Sequence, residues 1–420
     1  MTMSSLRGYL KPLRPYPLHP SIPFEEIAPD LGVTTETRLA SLLGVIDINL
    51  LDLEPREMAR FFVDGVQRSA IIQELRIVSP PVPLVASHIV VGAFERGSNG
   101  KIRPVIIREA LLVLFPRIAL MQALGSSLRS QLSSPPPLPV LDSRGDFYVK
   151  VCQSQLGRNI NMFFVDPSLT FEKSPRVSIR PSELAAIGKV RRIMLDRVTH
   201  VMRTLEVGIV SELRQKYPKD LVLLDGPLVR MMFLIYARLA DTRLEYLVDL
   251  TDARKSYEFL SKVIGIVKEV RRVPQNGLKH AFNVTNVRQH IPIFRFTDPK
   301  IERDFRHLLS CFMWLRPELS KHMPLVGSVT GGLVRIDVPI PAVTDYDPAW
   351  IDSSFQVNIN PGSSTYTRLE AILRGIIIDR LPLPPTSRVH RLLTELYPIS
   401  EAERFLKSRL LTHEELRLII

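Results

Sequence analysis

The sequence predicts an α/β domain: a mixed sheet flanked by helices, with helical insertions. Three observations carry that reading. Two apolar runs of strand character each end on Asp-Gly, "FFVDG" at 61–65 and "LVLLDG" at 221–226; β-rich runs follow the first; and a long stretch of helical periodicity precedes the second. Short apolar runs bounded by turn signals read as buried strands, and α/β folds build their sites at the carboxyl ends of neighbouring strands. A single Asp-Gly is ordinarily a turn, because glycine takes positive φ and aspartate hydrogen-bonds its own backbone. The second copy favours acids held out by strands to do chemistry.

Each element has its own signal. Residues 1–31 hold "LKPLRPYPLHPSIP", a proline-rich arm, and 32–58 have a helical rhythm leading into the first strand. "AIIQELRIV", "LVASHIVVGAFERG" and, beyond Asn99-Gly100, "KIRPVIIREALLVLF" predict a strand and a hairpin. "SSPPPLPV" at 133–140 is a loop. A long helix is signalled after Arg180, with Pro181 in its first turn and Glu183 just inside, running to Lys216 where Tyr217-Pro218 stops it. Val190, Met194, Val198, Val201, Leu205 and Ile209 give it an apolar stripe. Residues 229–262 read as mostly helical, and "VIGIVKEVRR" (263–272) as a strand ending on Lys268. "GGLVRIDVPIP" (331–341) and "FQVNIN" (355–360) are two more strands, followed by a helix at 366–380 and the break "LPLPPTS". The core domain is expected over 32–385, with 386–420 a helical tail.

Composition narrows the function. The 420 residues, 45% hydrophobic and 23% charged, suit a globular protein with a large core. Cys152 and Cys311 are too few for a disulfide framework or a zinc knuckle, so a cytoplasmic location is expected. "MTMSSLRGYLKPLRPYP" lacks the form of a signal peptide, and no uncharged apolar run is long enough for a membrane span. A net charge of +12 favours a polyanion partner, DNA or RNA, over a merely solvated basic surface. There is no Walker A glycine loop, so any energy source lies in a partner.

The acids of the long helix sort by their neighbours. Asp196 and Glu212 have polar helical neighbours and belong on a wet face, whereas Glu206 is flanked at helical spacing by Met202, Ile209, Val210 and Leu213. A carboxylate on an apolar margin needs a cation. Either Arg203 pairs with it or a metal does. Asp64, Asp225 and Glu206 are then three carboxylates able to converge, a donor set suited to Mn²⁺ or Mg²⁺, two ions of which activate water against a phosphodiester. Arg68, Lys268, Arg271 and Arg272 are the cations placed to hold DNA phosphates. His88 reads as a core or surface histidine; His280 and His290 lie in a basic stretch able to meet phosphate.

The order of strand-Asp-Gly, hairpin, long helix with Glu206 and "LVLLDGPL" resembles the NurA family of DNA-repair nucleases. "VIGIVKEVRR" is similar to its glycine-lysine strand and "VRIDVP" to its Arg-acid-Pro strand, so the likeness spans about residues 55–380. The resemblance implies a ribonuclease H-like fold and a manganese-dependent nuclease that trims DNA ends. It also implies a homodimer seated on a HerA-type hexameric ATPase, with Asp64, Glu206 and Asp225 as metal ligands. The family carries a tyrosine and then an Ala-His near its end; in "SSTYTRLEAIL" Tyr366 and Ala371 fit, but Ile372 stands in place of the histidine. A NurA-like subunit that clamps DNA and docks on the ATPase without cutting is the alternative.

Overall fold

The computed structural model describes residues 34–36, 40–54, 57–75, 82–114, 147–149, 160–165, 167, 186–228, 253–268, 270, 272–274, 288–296, 307–315, 333–352, 354–380 and 396–417. Strands β1 (Thr34–Glu36), β2 (Ala40–Asn49), β3 (Phe61–Leu75), β4 (Val82–Arg96), β5 (Ile102–Leu114), β6 (Phe147–Val149) and β7 (Asn161–Val165) precede helix α1 (Ile187–Lys216). Then come β8 (Val222–Asp225), α2 (Ala253–Leu260), β9 (Val263–Val267), β10 (Arg272–Pro274), β11 (Arg288–Phe296), β12 (Leu308–Trp314) and β13 (Leu333–Pro339). Helices α3 (Ile340–Val343), α4 (Ser364–Ile378), α5 (Tyr397–Arg409) and α6 (His413–Arg417) close the chain.

The fold is mixed α/β. One 11-stranded sheet runs β2-β11-β12-β13-β9-β8-β3-β4-β5-β7-β6, and β1 pairs with β10 apart from it. β3, β4 and β5 form an antiparallel meander, with Asn99-Gly100 making the β4–β5 turn and Gly100 at φ 74°. After α1 the chain returns as β8, parallel to β3, and β9, parallel to β8. Strand β4 is buried over nearly its whole length, because both faces of this part of the sheet are covered. A Cβ added at Gly65 of β3 would meet Glu206 and Met202 of α1, whereas one at Gly92 of β4 would meet Leu406 of α5. Helices α1 and α5 therefore lie on opposite faces of the meander.

Helix α1 carries the predicted stripe inward: Val190, Met194, Val198, Val201, Leu205, Ile209 and Leu213 are all buried. Each such side chain contributes about 1.5–3 kcal/mol by leaving water. The helix stops at Tyr217, as expected, and begins at Ile187 behind Ala186; the expected start at Pro181 and Glu183 lies outside the described residues.

Three expectations need correction. The 32–58 stretch is not helical: β2 pairs antiparallel with β11 from Ala40↔Phe296 to Asn49↔Arg288, and buried Ile46 and Ile48 alternate with exposed Asp47 and Asn49. Its apolar spacing suited a helix, and pairing with β11 overrides that preference. The first strand does not finish on Asp64-Gly65, for β3 continues to Leu75; only its pairing with β8 finishes there. "FQVNIN" is not a strand, although Phe355, Val357 and Ile359 alternate inward. Asn360 N donates to Asn358 Oδ1 at 3.0 Å and Ser363 Oγ to Asn358 O at 3.0 Å, local bonds that displace a ladder. The arm at 1–31 and most of 229–262 lie outside the described residues.

Candidate active site

Strand register places the two Asp-Gly acids side by side. The last β3–β8 pair is Val63↔Leu224, and Asp64 and Asp225 are the next residue of each strand. Neighbouring parallel strands present in-register side chains to the same face, and successive residues alternate. Asp64 and Asp225 therefore share the face opposite to Gly65, which is the face away from α1. The ladder opens here because two carboxylates are adjacent and Gly226 turns the chain at φ 129°, its N–H donating to Ile266 O at 2.7 Å.

Asp64 is only 4% exposed. Its Oδ1 accepts from Gly65 N at 2.8 Å, and its Oδ2 is buried without a hydrogen-bond partner. Burial raises the Asp64 carboxyl well above the usual carboxylate range, and the charge of Asp225 raises it further; Lys268 opposes, while Glu206 and Glu403 push the same way as Asp225. Asp225 is more open, with a side chain 20% exposed, and its Oδ2 lies 3.0 Å from Lys268 Nζ. Lys268 follows β9 directly, so the three parallel strands deliver two acids and one cation to a single rim.

Glu206 reaches the same rim from the α1 side. It is fully buried, and its Oε1 would lie 2.6 Å from a Cβ at Gly65, so only glycine lets helix and strand approach this closely. Arg203, one turn earlier, donates from Nη1 to Glu206 Oε2 at 2.6 Å and to Asp225 O at 2.5 Å. Its guanidinium fills the space of the missing Gly226 side chain, where a Cβ would come within 2.7 Å. Burial disfavours the Arg203 charge, yet Glu206, Asp225 and Asp64 hold its pKa above the ordinary value. Of the two partners open to Glu206 from sequence, Arg203 is the one in place. Among the described residues no group of three or more His, Cys, Asp or Glu side chains encloses a metal position.

A second acid network holds the turn behind Asp225. Arg335 of β13 grips Asp337 through Nε at 2.8 Å and Nη2 at 3.1 Å, and Asp337 Oδ2 accepts from Leu228 N at 3.2 Å. The "VRIDVP" strand thus fixes the segment that follows Gly226.

The other singled-out residues fall elsewhere. The Tyr366 hydroxyl accepts from Asp47 N of edge strand β2 at 3.3 Å, and Ile372 is buried among Ala59, Leu223 and Ile264; no described contact joins either to the acids. Arg68 Nη1 donates to Leu411 O at 2.9 Å. Arg272 contributes backbone to β10, its side chain lies outside the described residues, and so does all of Arg271. His88 is a buried structural histidine whose Nδ1 accepts from Leu411 N at 3.1 Å. His290 pairs with Asp47.

The comparison with protein families bears on this rim directly: residues 122–273 match the family model described as NurA domain. The chain carries a NurA domain. This is the family that the sequence resembles, a family of nucleases, and the chemistry is accordingly hydrolytic. The matched NurA segment contains Arg203, Glu206, Asp225 and Lys268, while Asp64 precedes it and α5 follows it. No curated protein matches the chain.

Sequence reasoning missed Glu403 of α5, whose charge is felt at Asp64. A signal was present: Glu403 has buried Ile399 four residues before it and buried Leu406 three after, the same apolar margin that singled out Glu206. Among the described residues no helix is long and apolar enough to cross a membrane.

Proposed function

We infer that the protein is a metal-dependent deoxyribonuclease that processes DNA ends, with Asp64 and Asp225 holding a divalent ion. The observation that carries this reading is the pair of carboxylates set side by side where the β3–β8 ladder opens, one of them buried with an oxygen lacking a hydrogen-bond partner. Two hard oxygen donors with one unsatisfied fit Mn²⁺ or Mg²⁺. A bound ion of this kind polarises the phosphodiester and lowers the pKa of an attacking water. Lys268, 3.0 Å from Asp225, is placed to meet a phosphate oxygen when DNA enters. Glu206 and Arg203 fix the Asp225–Gly226 turn from the other face. A second ion and a direct role for Glu206 belong to the same proposal.

The strand order β5-β4-β3-β8-β9, antiparallel before the long helix and parallel after it, supports a ribonuclease H-like core. The net charge of +12 supports a DNA substrate. The family resemblance adds a homodimer and a HerA-type hexameric ATPase that feeds DNA ends in break repair; a light-scattering mass of 47.7 kDa rather than twice that argues against the dimer.

One observation favours a second reading, a DNA clamp without activity: Lys268 and Arg203 already counter the charges of Asp225 and Glu206. Cleavage of linear DNA by the full chain, with Mn²⁺ or with a chelator, decides between them. The nuclease reading expects cleavage that needs the ion and is lost in Asp64→Asn with DNA binding intact. Cleavage in the chelator, or equal cleavage by the variant, refutes it; DNA binding without cleavage in any metal supports the clamp.

A further inference from the structure

Helix α5 is sealed onto the sheet instead of trailing from it. Phe405 meets Phe94 edge-on with ring centroids 5.6 Å apart, Arg409 reaches Glu109 at 2.6 Å, and Leu411 N donates to His88 Nδ1 at 3.1 Å. Ile399, Ala402 and Leu406 are buried. Such contacts fix the helix rotation, and strand register then says which residue lies beneath it.

Gly92 pairs with Asp64 across β3 and β4. Directly opposed residues of an antiparallel pair turn their side chains to the same face. Leu406 lies over Gly92, where an added Cβ would approach it to 3.0 Å, so α5 covers the face that carries Asp64. Glu403 stands three residues before Leu406 and therefore on the same side of the helix. Its side chain is 16% exposed, and Lys407 Nζ lies 2.7 Å from its carboxylate. Facing it, Asp64 Oδ2 is buried and lacks a hydrogen-bond partner. Asp225 shares that face by register with Asp64, whereas Glu206 approaches from the other.

We propose that Glu403 is a further carboxylate of the site and supplies an oxygen to the divalent ion held by Asp64 and Asp225. The proposal rests on the metal-dependent reading above and changes its geometry: the acid completing the set comes from the carboxyl-terminal helix on the Asp64 face. Three carboxylates on one face repel one another, and Lys268 and Lys407 at its borders do not reach the unpartnered Asp64 oxygen by any described contact. A hard cation does what neither lysine does, taking oxygens from several acids at once.

The test is Mn²⁺ binding to the full chain, followed by calorimetry and by the loss of the free-ion paramagnetic signal. Glu403→Gln is expected to weaken binding roughly 10- to 100-fold, the scale of altering a residue of the metal's surroundings. Glu403→Asp, which keeps a shorter carboxylate, should retain more affinity than the amide. Glu401→Gln, on the same helix but paired with exposed Arg404, should bind as wild type. Near-ultraviolet circular dichroism checks that each variant is folded. If Glu403→Gln and Glu403→Asp both bind as wild type while Asp64→Asn does not, Glu403 is no ligand and the metal reading stands. If Asp64→Asn also binds as wild type, both fall.

Discussion

Replacing Asp64 by asparagine should change the pH dependence of stability as well as activity. In the ion-free protein Asp64 is a buried carboxyl beside Asp225, and its pKa is raised well above the ordinary value by burial first and by Asp225 second. The sign follows from linkage. A carboxyl raised on folding keeps its proton in the folded chain at pH values where the unfolded chain, titrating near 4, has lost it. Stability therefore falls as pH rises from the unfolded value toward the folded one, by up to about 1.4 kcal/mol per pH unit. Lys268 reduces the effect, while Glu206 from the α1 side and Glu403 from α5 add to it. An asparagine amide cannot ionise, so the variant's curve should lack this slope and rise above the wild-type curve toward neutral pH. Urea denaturation in chelator from pH 4.5 to 8 measures the difference, with Trp314 and Trp350, both buried, as fluorescent probes. The comparison of slopes cancels whatever the amide gains or loses in its own hydrogen bonding. Parallel curves for the two proteins would show that Asp64 is not held as a buried, repelled carboxyl, and the account of the site would fail with it.

Two further outcomes follow from the same contacts. Arg203→Met removes the guanidinium beside fully buried Glu206 and should cost about 3–5 kcal/mol, most of it recovered in Arg203→Met/Glu206→Gln; a double variant no more stable than the single one overturns the ion-pair assignment. Glu109 is held down to about 2 by its hydrogen bond from His88 and then by Arg409, so its stabilisation is present above the unfolded carboxylate range and disappears as pH falls toward 2. Glu109→Gln should thus loosen α5 at pH 6, read as faster proteolysis near residue 410, with the difference narrowing in acid; equal rates at pH 6 would count against it.

Much of the fold was legible because its signals are local. The stripe from Val190 to Ile209 set α1, Tyr217-Pro218 its end and Asn99-Gly100 the β4–β5 turn, each fixed by residues a few positions apart. The failures are non-local. β2 has spacing that suits a helix, and only β11, roughly 240 residues later, makes it a strand. "FQVNIN" has strand alternation but gives its backbone to Asn358 and Ser363.

The site divides along the same line. That Asp64 and Asp225 are neighbours was readable, because a strand–helix–strand order with matching Asp-Gly ends implies parallel pairing, and pairing from Phe61↔Val222 to Val63↔Leu224 realises it. Which face they occupy was not readable, because alternation along a strand says only that Asp64 and Gly65 point opposite ways. The choice is made by α1, whose Glu206 and Met202 press on Gly65 and leave no room there for a larger side chain. Glycine follows aspartate in β3 for that reason, and the aspartate is turned toward the face that α5 covers. The dipeptide that reads as a turn is in β3 a way of passing a helix on one side while presenting an acid on the other. In β8 the same two letters do end a strand, with Arg203 packed where the Gly226 side chain would be. Identical motifs thus take different backbone courses, and both courses bring a carboxylate to one rim.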